Sequence, residues 1–291
     1  MKVALWGNTS KPLFWELLPK VTSWLDEKGQ ELFLTTHIHK RLEDASSYSY
    51  SIIEKADDFS DVDFVLAMGG DGTILSAARG VEYRGTPIFG VHLGGLGFLA
   101  EGTVENCFSR LESIIGGNYS TFPRMVIKAE IKGEEPTVVA ALNDLVLDGG
   151  EGFRLMKCSL HTEGRFITSY SADGLIITTP TGSTAYNLAA GGPIVAPWLS
   201  LFTVTPICPH TLSSRPIVLP AESDLTITFP EDEPGARLTV DGQLQHPLSA
   251  GGQVVVRKAD YQVNMITFEN RDYFQTLRTK MGWGQYKGSG S

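Results

Sequence analysis

A glycine-rich turn, Gly69-Gly70-Asp71-Gly72-Thr73, follows an apolar run and holds the residues best suited to chemistry. Glycine lets the backbone bend sharply and come close to a ligand, and the amides that open a helix face an anion. Gly69, Gly70, Gly72 and Thr73 are therefore candidate ligands of a phosphate group. The Asp71 carboxylate is suited to accept the proton of an attacking hydroxyl group, or to cap the helix and bind a metal ion.

Two other nucleotide-binding patterns are absent from the sequence. No Gly-Lys pair occurs in the chain, so it has no P-loop of the Walker type. No Gly-x-Gly-x-x-Gly follows the first apolar run, so the Rossmann dinucleotide motif is not indicated either. The Gly-Gly-Asp-Gly-Thr turn resembles that of NAD kinases, diacylglycerol-type lipid kinases and, in a close variant, phosphofructokinases. By itself the turn indicates a kinase superfamily rather than one substrate.

Short apolar runs alternate with helical patterns in the first part of the chain. Strands are predicted at residues 3–6, 31–36, 64–68 and 87–93, and helices at residues 12–28 and 74–79. Strands that alternate with helices form a parallel sheet with right-handed crossovers, and ligands bind at the carboxyl ends of its strands. We therefore expect an α/β N-terminal domain with a parallel sheet over residues 1–120.

Strand patterns replace this alternation after about residue 123. The predicted strands are residues 125–132, 137–147, 155–161, 174–179, 225–229, 237–240 and 253–258, separated by Gly, Pro and Asp. We expect an all-β C-terminal domain with antiparallel pairing over residues 121–269. A helix predicted at residues 273–281, within about 270–285, is expected to pack back on the first domain.

The composition narrows the class of protein. The 291 residues carry a formal net charge of −9, whereas a nucleic-acid-binding protein would normally show a basic balance or a basic patch. The three cysteines fit neither a disulfide framework nor a zinc site, so we expect reduced thiols. The first apolar run is too short for a signal peptide, and no run has the length of a membrane span. We expect a cytoplasmic protein without nucleic-acid or membrane partners.

A longer motif in the second half resembles the signature of one family. Residues 180–193 read Pro-Thr-Gly-Ser-Thr-Ala-Tyr-Asn-Leu-Ala-Ala-Gly-Gly-Pro, which is similar to the NAD kinase signature over essentially its whole length. The motif follows Ala-Asp-Gly-Leu-Ile-Ile at residues 172–177, as in that family. Further matches lie at residues 143–144, 205–210, 213–216, 240–243 and 282–284. The resemblance extends from about residue 64 to residue 284.

The resemblance implies a fold and a reaction. The fold is the two-domain arrangement of NAD kinases, an α/β domain followed by a β domain. The reaction moves a phosphoryl group from ATP, or from polyphosphate, to the 2′-hydroxyl group on the adenosine ribose of NAD, with Asp71 as general base. It implies Mg²⁺ or another divalent metal carried on the donor phosphates, with no metal ion fixed by the protein itself. It also implies a homodimer or homotetramer whose site is completed across a subunit interface.

The NAD-binding residues follow from the same resemblance. They are Asp71, Gly72, Asn143, Asp144, Arg154, Ser171, Asp173, Thr184, Ala185, Tyr186, Asn187, Leu188, Ala189 and Gln243. Asn143 and Asp144 interrupt a predicted apolar strand, so they form either a hydrogen-bonded structural pair or a ligand clamp with side chains on opposite faces. Tyr186 could stack on a ring, while Thr184 and Asn187 could hydrogen-bond ribose or amide groups.

The chain departs from the family pattern at three positions. Members commonly read Gly-Ile-Asn-x-Gly-Arg-Leu-Gly-Phe-Leu where residues 90–99 have His92 in place of Asn and Gly95 in place of Arg. Loss of the arginine removes a cation near the phosphate region. Ser171 stands where a basic residue is common, which bears on phosphate contacts and on the choice between NAD and NADH.

Two other functions remain open on the sequence alone. The glycine turn is compatible with a lipid or sugar kinase, although the motif at residues 180–193 argues against it. The three departures are compatible with a catalytically weak regulatory protein that binds NAD or NADP. A metal site at His37 and His39, expected two apart on one face of a strand, is disfavoured because no third ligand lies nearby in the sequence.

Overall fold

The structure, a computed structural model, describes residues 1–42, 48–95, 97–133, 135–150, 155–232, 235–269 and 272–284. It forms two compact units. The first comprises Met1–Phe122 with the described part of Asn264–Ser291, and the second comprises Pro123–Val263. Within the described residues, no helix combines the length and apolar character that a membrane span requires.

The first unit alternates strands and helices along the chain. Its elements are β1 (Lys2–Gly7), α1 (Pro12–Glu27), β2 (Glu31–Thr35), α2 (Thr36–His39), β3 (Ser51–Ile53), β4 (Phe64–Gly69), α3 (Asp71–Val81), β5 (Ile88–His92), β6 (Gly102–Thr103) and α4 (Cys107–Ile115). The strand order is β3-β2-β1-β4-β5, with β6 beside β5, and every pair is parallel. The loops after β1, β4 and β5 therefore leave the sheet at the same edge.

Burial explains why these segments form a central sheet. All six residues of β4 are buried, as expected for a parallel strand that is covered on both faces. Helix α1 buries Phe14, Leu17, Leu18, Val21 and Leu25, whose spacing of three and four residues makes one apolar stripe. This stripe packs in one cluster with residues of β1, β4 and β5.

The second unit is built from antiparallel strands. In chain order the remaining elements are β7 (Ser120–Lys132), β8 (Thr137–Ala141), β9 (Asp144–Asp148), β10 (Met156–Thr162), β11 (Arg165–Ala172), β12 (Gly174–Thr178), α5 (Tyr186–Ala189), β13 (Leu201–Ile207), β14 (Ile217–Pro220), β15 (Leu225–Thr228), β16 (Ala236–Val240), β17 (Leu244–Leu248), β18 (Gln253–Thr267) and α6 (Tyr273–Met281). One sheet has the order β14-β13-β12-β9-β16-β17. Strands β11-β10-β15-β18 and the β7-β8 pair form the other layer, and one apolar cluster joins residues of both layers.

The predicted fold class is confirmed: a parallel α/β unit precedes a β-rich unit. Helix α6 belongs to the first unit, where Leu277 is buried and the Lys280 ammonium lies 4.9 Å from the centre of the Phe98 ring. The pattern did not predict strands β3, β6, β11, β13, β14 and β17 or helices α2, α4 and α5. The three cysteines are free, with Cys107 and Cys158 buried and Cys208 exposed.

Candidate active site

The glycine turn joins the central strand of the first unit to a helix. Strand β4 ends at Gly69, and α3 begins at Asp71, with Gly70 extended between them. The amides of Thr73 and Ile74 donate to the Gly70 carbonyl at 2.9 and 3.3 Å, which closes the first turn of the helix. A Cβ on Gly69 would lie 2.0 Å from the Thr73 hydroxyl oxygen, so the turn accepts only glycine there. Glycine at position 69 thus lets the Thr73 side chain close against the end of β4, which fixes the start of the helix.

Two backbone amides orient the Asp71 carboxylate. Its oxygens accept hydrogen bonds from the Phe98 amide at 2.9 Å and from the Leu99 amide at 3.2 Å, in the loop after β5. A Cβ on Gly97 would lie 2.1 Å from Oδ1 of Asp71, so a side chain at that position would displace the carboxylate. Asp71 is half-buried, so its carboxylate is both fixed in orientation and within reach of a ligand.

His92, one of the three departures, lies beside the glycine turn. Its Nε2 is 3.8 Å from the point that a Cβ on Gly70 would occupy, and its Cδ2 is 2.9 Å from that point on Gly97. The imidazole and the Asp71 carboxylate therefore flank the same glycine. Among the described residues, the buried Nδ1 of His92 has no hydrogen-bond partner.

The expectation that His37 and His39 share one face of a strand is wrong. Strand β2 ends at Thr35, and both histidines lie in the helical turn α2. Nε2 of His37 is 2.7 Å from the Thr9 hydroxyl, and Nδ1 of His39 is 2.8 Å from the Tyr50 hydroxyl. These hydroxyl contacts give each imidazole a structural partner.

The Asn143-Asp144 pair lies in a bend between two sheets, not inside one strand as predicted. Strand β8 ends at Ala141 in one layer, and β9 begins at Asp144 in the six-stranded sheet. The bend forms because the buried Asp241 carboxylate accepts the amides of Leu142, Asn143 and Asp144, at 3.2, 2.8 and 3.3 Å. The sequence motif at residues 240–243 contained Asp241 but did not reveal this positioning role.

Burial changes the ionisation of Asp144. Its removal from water, with the Asp241 charge as a second cause, raises its pKa from 3.8 to about 7. The folded protein therefore holds this proton at pH values where the unfolded chain has lost it. Folding is favoured at acidic pH and loses that advantage as the pH rises toward 7.

We expect Asp144→Asn to flatten the pH dependence of stability. A pKa shift of this size lowers the free energy of unfolding of the parent by as much as about 4 kcal/mol between pH 4 and pH 8. The reason is that one pKa unit corresponds to about 1.4 kcal/mol. The amide carries no charge at any of these pH values. Urea denaturation of both proteins across this range measures the slopes. Equal slopes would show that Asp144 is ionised throughout.

The chain after β12, which contains the motif at residues 180–193, packs directly against this bend. The hydroxyl groups of Thr178 and Thr179 donate to the carbonyls of Asn143 and Leu142, at 2.9 and 2.6 Å. A Cβ on Gly182 would lie 2.3 Å from the Asn143 carbonyl oxygen, so glycine is required for this approach. Asn143, Asp144 and the start of the segment therefore lie together at one end of β9 and β12.

The Asn187 side chain makes its hydrogen bonds within the protein. It is fully buried, donates to the carbonyls of Ser183 and Pro193, and accepts the Thr205 hydroxyl at 2.7 Å. These bonds hold the segment together, so its side chain is a structural tie. Its neighbour Tyr186 is 47% exposed and presents a ring at the surface.

The other predicted ligands occupy different places in the second unit. Thr184, Ala185 and Leu188 are half-buried, and Ala189 and Gln243 are exposed, with Gln243 in the turn after β16. Asp173 is exposed at the opposite end of β12, where its Oδ1 is 4.0 Å from Nε2 of His210, and the His210 amide donates to the Ser171 carbonyl. Arg154 lies outside the described residues.

The fold is shared with solved structures of two kinases. Yeast NADH kinase in complex with NADH matches with a TM-score of 0.89 at 24% identity, covering 100% of this chain and 90% of that chain. An NAD kinase from Archaeoglobus fulgidus in complex with ATP matches with a TM-score of 0.76 at 24% identity, covering 97% and 99% of the two chains.

Sequence relatives share far more identity over the full length. The chain is 38% identical to the NAD kinase of Geobacter metallireducens over 286 residues, which cover 98% of this chain and 99% of the relative. It is 39% identical to the NAD kinase of Syntrophobacter fumaroxidans over 285 residues, covering 97% and 99%. Residues 3–119 match the family model of the ATP-NAD kinase N-terminal domain, and residues 142–268 match that of the ATP-NAD kinase C-terminal domain. The chain belongs to the ATP-NAD kinase family.

Proposed function

We propose that the chain transfers the terminal phosphoryl group of ATP to the 2′-hydroxyl group on the adenosine ribose of NAD, giving NADP. The observation that carries the proposal is the Asp71 carboxylate, held by two backbone amides beside the glycine turn. Family membership over both domains supports NAD as the acceptor and argues against a lipid or sugar kinase.

Asp71 acts as the general base. Its oriented carboxylate takes the proton of the 2′-hydroxyl group as that oxygen attacks the terminal phosphorus and the bond to the leaving nucleoside diphosphate breaks. Gly69, Gly70 and Gly72 hold the donor phosphates through the backbone amides of the turn, and Thr73 holds them through its hydroxyl group. The 11 residues of α3 add a helix dipole whose positive end faces that charge.

Mg²⁺ is the metal ion that best fits the ligands available near the glycine turn. Within the described ranges, no group of three or more His, Cys, Asp and Glu side chains could enclose a metal ion. Mg²⁺ commonly keeps several waters and binds one or two carboxylates together with substrate phosphates. The donor phosphates would carry the ion beside the glycine turn, where it would neutralise part of their charge and leave Asp71 free to act as the base.

The second unit supplies the NAD-binding residues. The half-buried Asn143 offers its amide group at the bend beside the buried Asp144, and the exposed Tyr186 ring offers a stacking surface to a base or a nicotinamide. We assign the half-buried or exposed members Thr184, Ala185, Leu188, Ala189 and Gln243 to the same NAD site. Asn187 contributes by holding the segment in place, and we retain Arg154 as a phosphate contact.

Ser171 and Asp173 point to a homo-oligomer. Asp173 precedes β12, while Asp144 pairs with Thr178 at its far end, so the two ends lie about 17 Å apart along the strand. We propose that Ser171 and Asp173 contact NAD bound by a second copy in a homodimer or homotetramer.

The test is NADP formation by the purified protein. NAD, ATP and Mg²⁺ are supplied, and an NADP-specific dehydrogenase reads the product, with polyphosphate as an alternative donor and NADH as an alternative acceptor. We expect turnover with ATP and NAD because of the family membership over both domains. Turnover with NADH is also expected, because the reacting 2′-hydroxyl group is the same in NAD and NADH and is distant from the nicotinamide. Binding of NAD without product from any donor would favour the regulatory function instead.

A further inference from the structure

The loop after β5 lacks the arginine that the family pattern carries, because Gly95 stands in its place. A turn that holds the phosphates of a nucleotide donor needs a cation or a metal ion to balance the charge that develops on them during transfer. The chain as a whole is acidic, with a formal net charge of −9, so any positive charge that the protein itself adds to that of Mg²⁺ must come from a local group. The structure offers a lysine from a different element.

Lys11 follows β1 and reaches the loop after β5. Its ammonium donates to the Leu93 carbonyl at 3.1 Å, and the Leu93 amide donates to the Gly69 carbonyl at 2.8 Å. The Asn8 amide donates to the Met68 carbonyl at 2.9 Å, which ties the carboxyl ends of β1 and β4 together. The ammonium is therefore two hydrogen bonds away from the last residue of β4, at the edge where the glycine turn begins.

The local charges leave Lys11 available to an anion. Among the residues that the structure describes, no carboxylate lies within 4.0 Å of its ammonium. The side chain is half-buried, and one of its three N–H groups is used by the Leu93 carbonyl. The ammonium lies 3.8 Å from the point that a Cβ on Gly94 would occupy, and the His92 ring is 3.7 Å from the same point. The lysine thus faces the loop that has lost its arginine.

We infer that Lys11 binds the phosphates of the nucleotide donor and replaces the missing arginine of the loop. This inference rests on the proposed function, because the donor phosphates are those that the glycine turn holds. An ammonium is a compact charge on a flexible stem, so it can follow the terminal phosphate during transfer.

The test compares Lys11→Met with Lys20→Met, which removes the same charge from an exposed position on α1. A lost charged hydrogen bond lowers kcat/KM for ATP by about 10- to 100-fold in Lys11→Met, with KM for NAD changed by less than about twofold. Lys20→Met should match the parent. Calorimetry with ATP and Mg²⁺, without NAD, measures donor binding directly and should show a weaker affinity in Lys11→Met alone.

Gly95→Arg provides the rescue. Apart from its own chain neighbours, no described atom lies within 4 Å of the point where a Cβ on Gly95 would stand, so a side chain can start from this position without a clash of its Cβ. In the Lys11→Met background the arginine should restore kcat/KM for ATP to within about threefold of the parent. Failure of rescue together with a lower melting temperature in Lys11→Met would assign Lys11 a structural role through Leu93 and overturn the inference.

The two proposals fail in different ways. Unchanged ATP binding and unchanged KM for ATP in Lys11→Met would overturn the role of Lys11 while NADP formation stands. Suppose that the parent makes no NADP but Lys11→Met still binds ATP more weakly than the parent does. That result would uphold the donor site and reject the proposed reaction.

Discussion

Replacing Asp71 by asparagine is expected to lower kcat for NADP formation by about 10²- to 10⁴-fold, the usual contribution of a general base. Asparagine keeps the size of the side chain and one acceptor oxygen for the amides of Phe98 and Leu99, but it cannot take a proton. NAD affinity should remain close to that of the parent. Single-turnover kinetics and NAD calorimetry measure the two effects separately.

Asp63→Asn is a matched control for this change. Asp63 precedes the opposite end of β4, and its carboxylate also accepts a backbone amide, that of Lys2. The control should keep parental turnover. A normal kcat in Asp71→Asn, with the protein folded and saturated by both substrates, would show that the reaction does not need this base.

Gly97→Ala separates the placement of the carboxylate from its presence. A Cβ at this position would lie 2.1 Å from Oδ1 of Asp71, so the carboxylate must move although its chemistry is unchanged. A displacement of about 1 Å can cost about 10² in rate. We therefore expect a loss of kcat similar in direction to that of Asp71→Asn.

Asp241→Ala is expected to destabilise the second unit by about 3 kcal/mol and to weaken NAD binding by about tenfold or more. The substitution leaves the buried amides of Leu142, Asn143 and Asp144 without their acceptor, and alanine is strained at the φ of +49°. The bend that presents Asn143 and Asp144 would then lose its geometry. Urea denaturation and NAD calorimetry read the two effects.

Two companion variants divide this effect into its causes. Glu163→Ala also places alanine at a positive φ, +47°, in an exposed hairpin turn, so it tests an alanine in this conformation where no buried amides lose an acceptor. Asp241→Asn keeps an acceptor oxygen and removes the charge, and it should fall between the parent and Asp241→Ala. It should also lower the pKa of Asp144, because the neighbouring charge is the second cause of the raised value. Equal stability of the parent and Asp241→Ala would contradict the positioning role.

The alternating pattern in the first unit was sufficient to predict its architecture. Strand β4 could be predicted because its buried residues form one apolar run that ends in glycines. Helix α1 could be predicted because its apolar residues recur every three to four positions. Strand β11 was missed because its burial alternates weakly, with only Tyr170 and Ala172 buried in eight residues. Its pairing with β10, through the Glu163-Gly164 turn at positive φ, depends on a partner strand.

The sequence by itself determined the chemistry of the glycine turn, the order of the two units and the family, because these depend on local residue types and on runs of contiguous residues. Only the tertiary structure decided which groups act together. It gave Asp71 its amide donors from Phe98 and Leu99, and it gave Asn143 and Asp144 their bend through Asp241. It also brought Lys11 to the loop that lacks an arginine, 82 residues away at Leu93. These contacts join distant segments whose spacing in the chain carries no periodicity, so only the packing of the sheets fixes them.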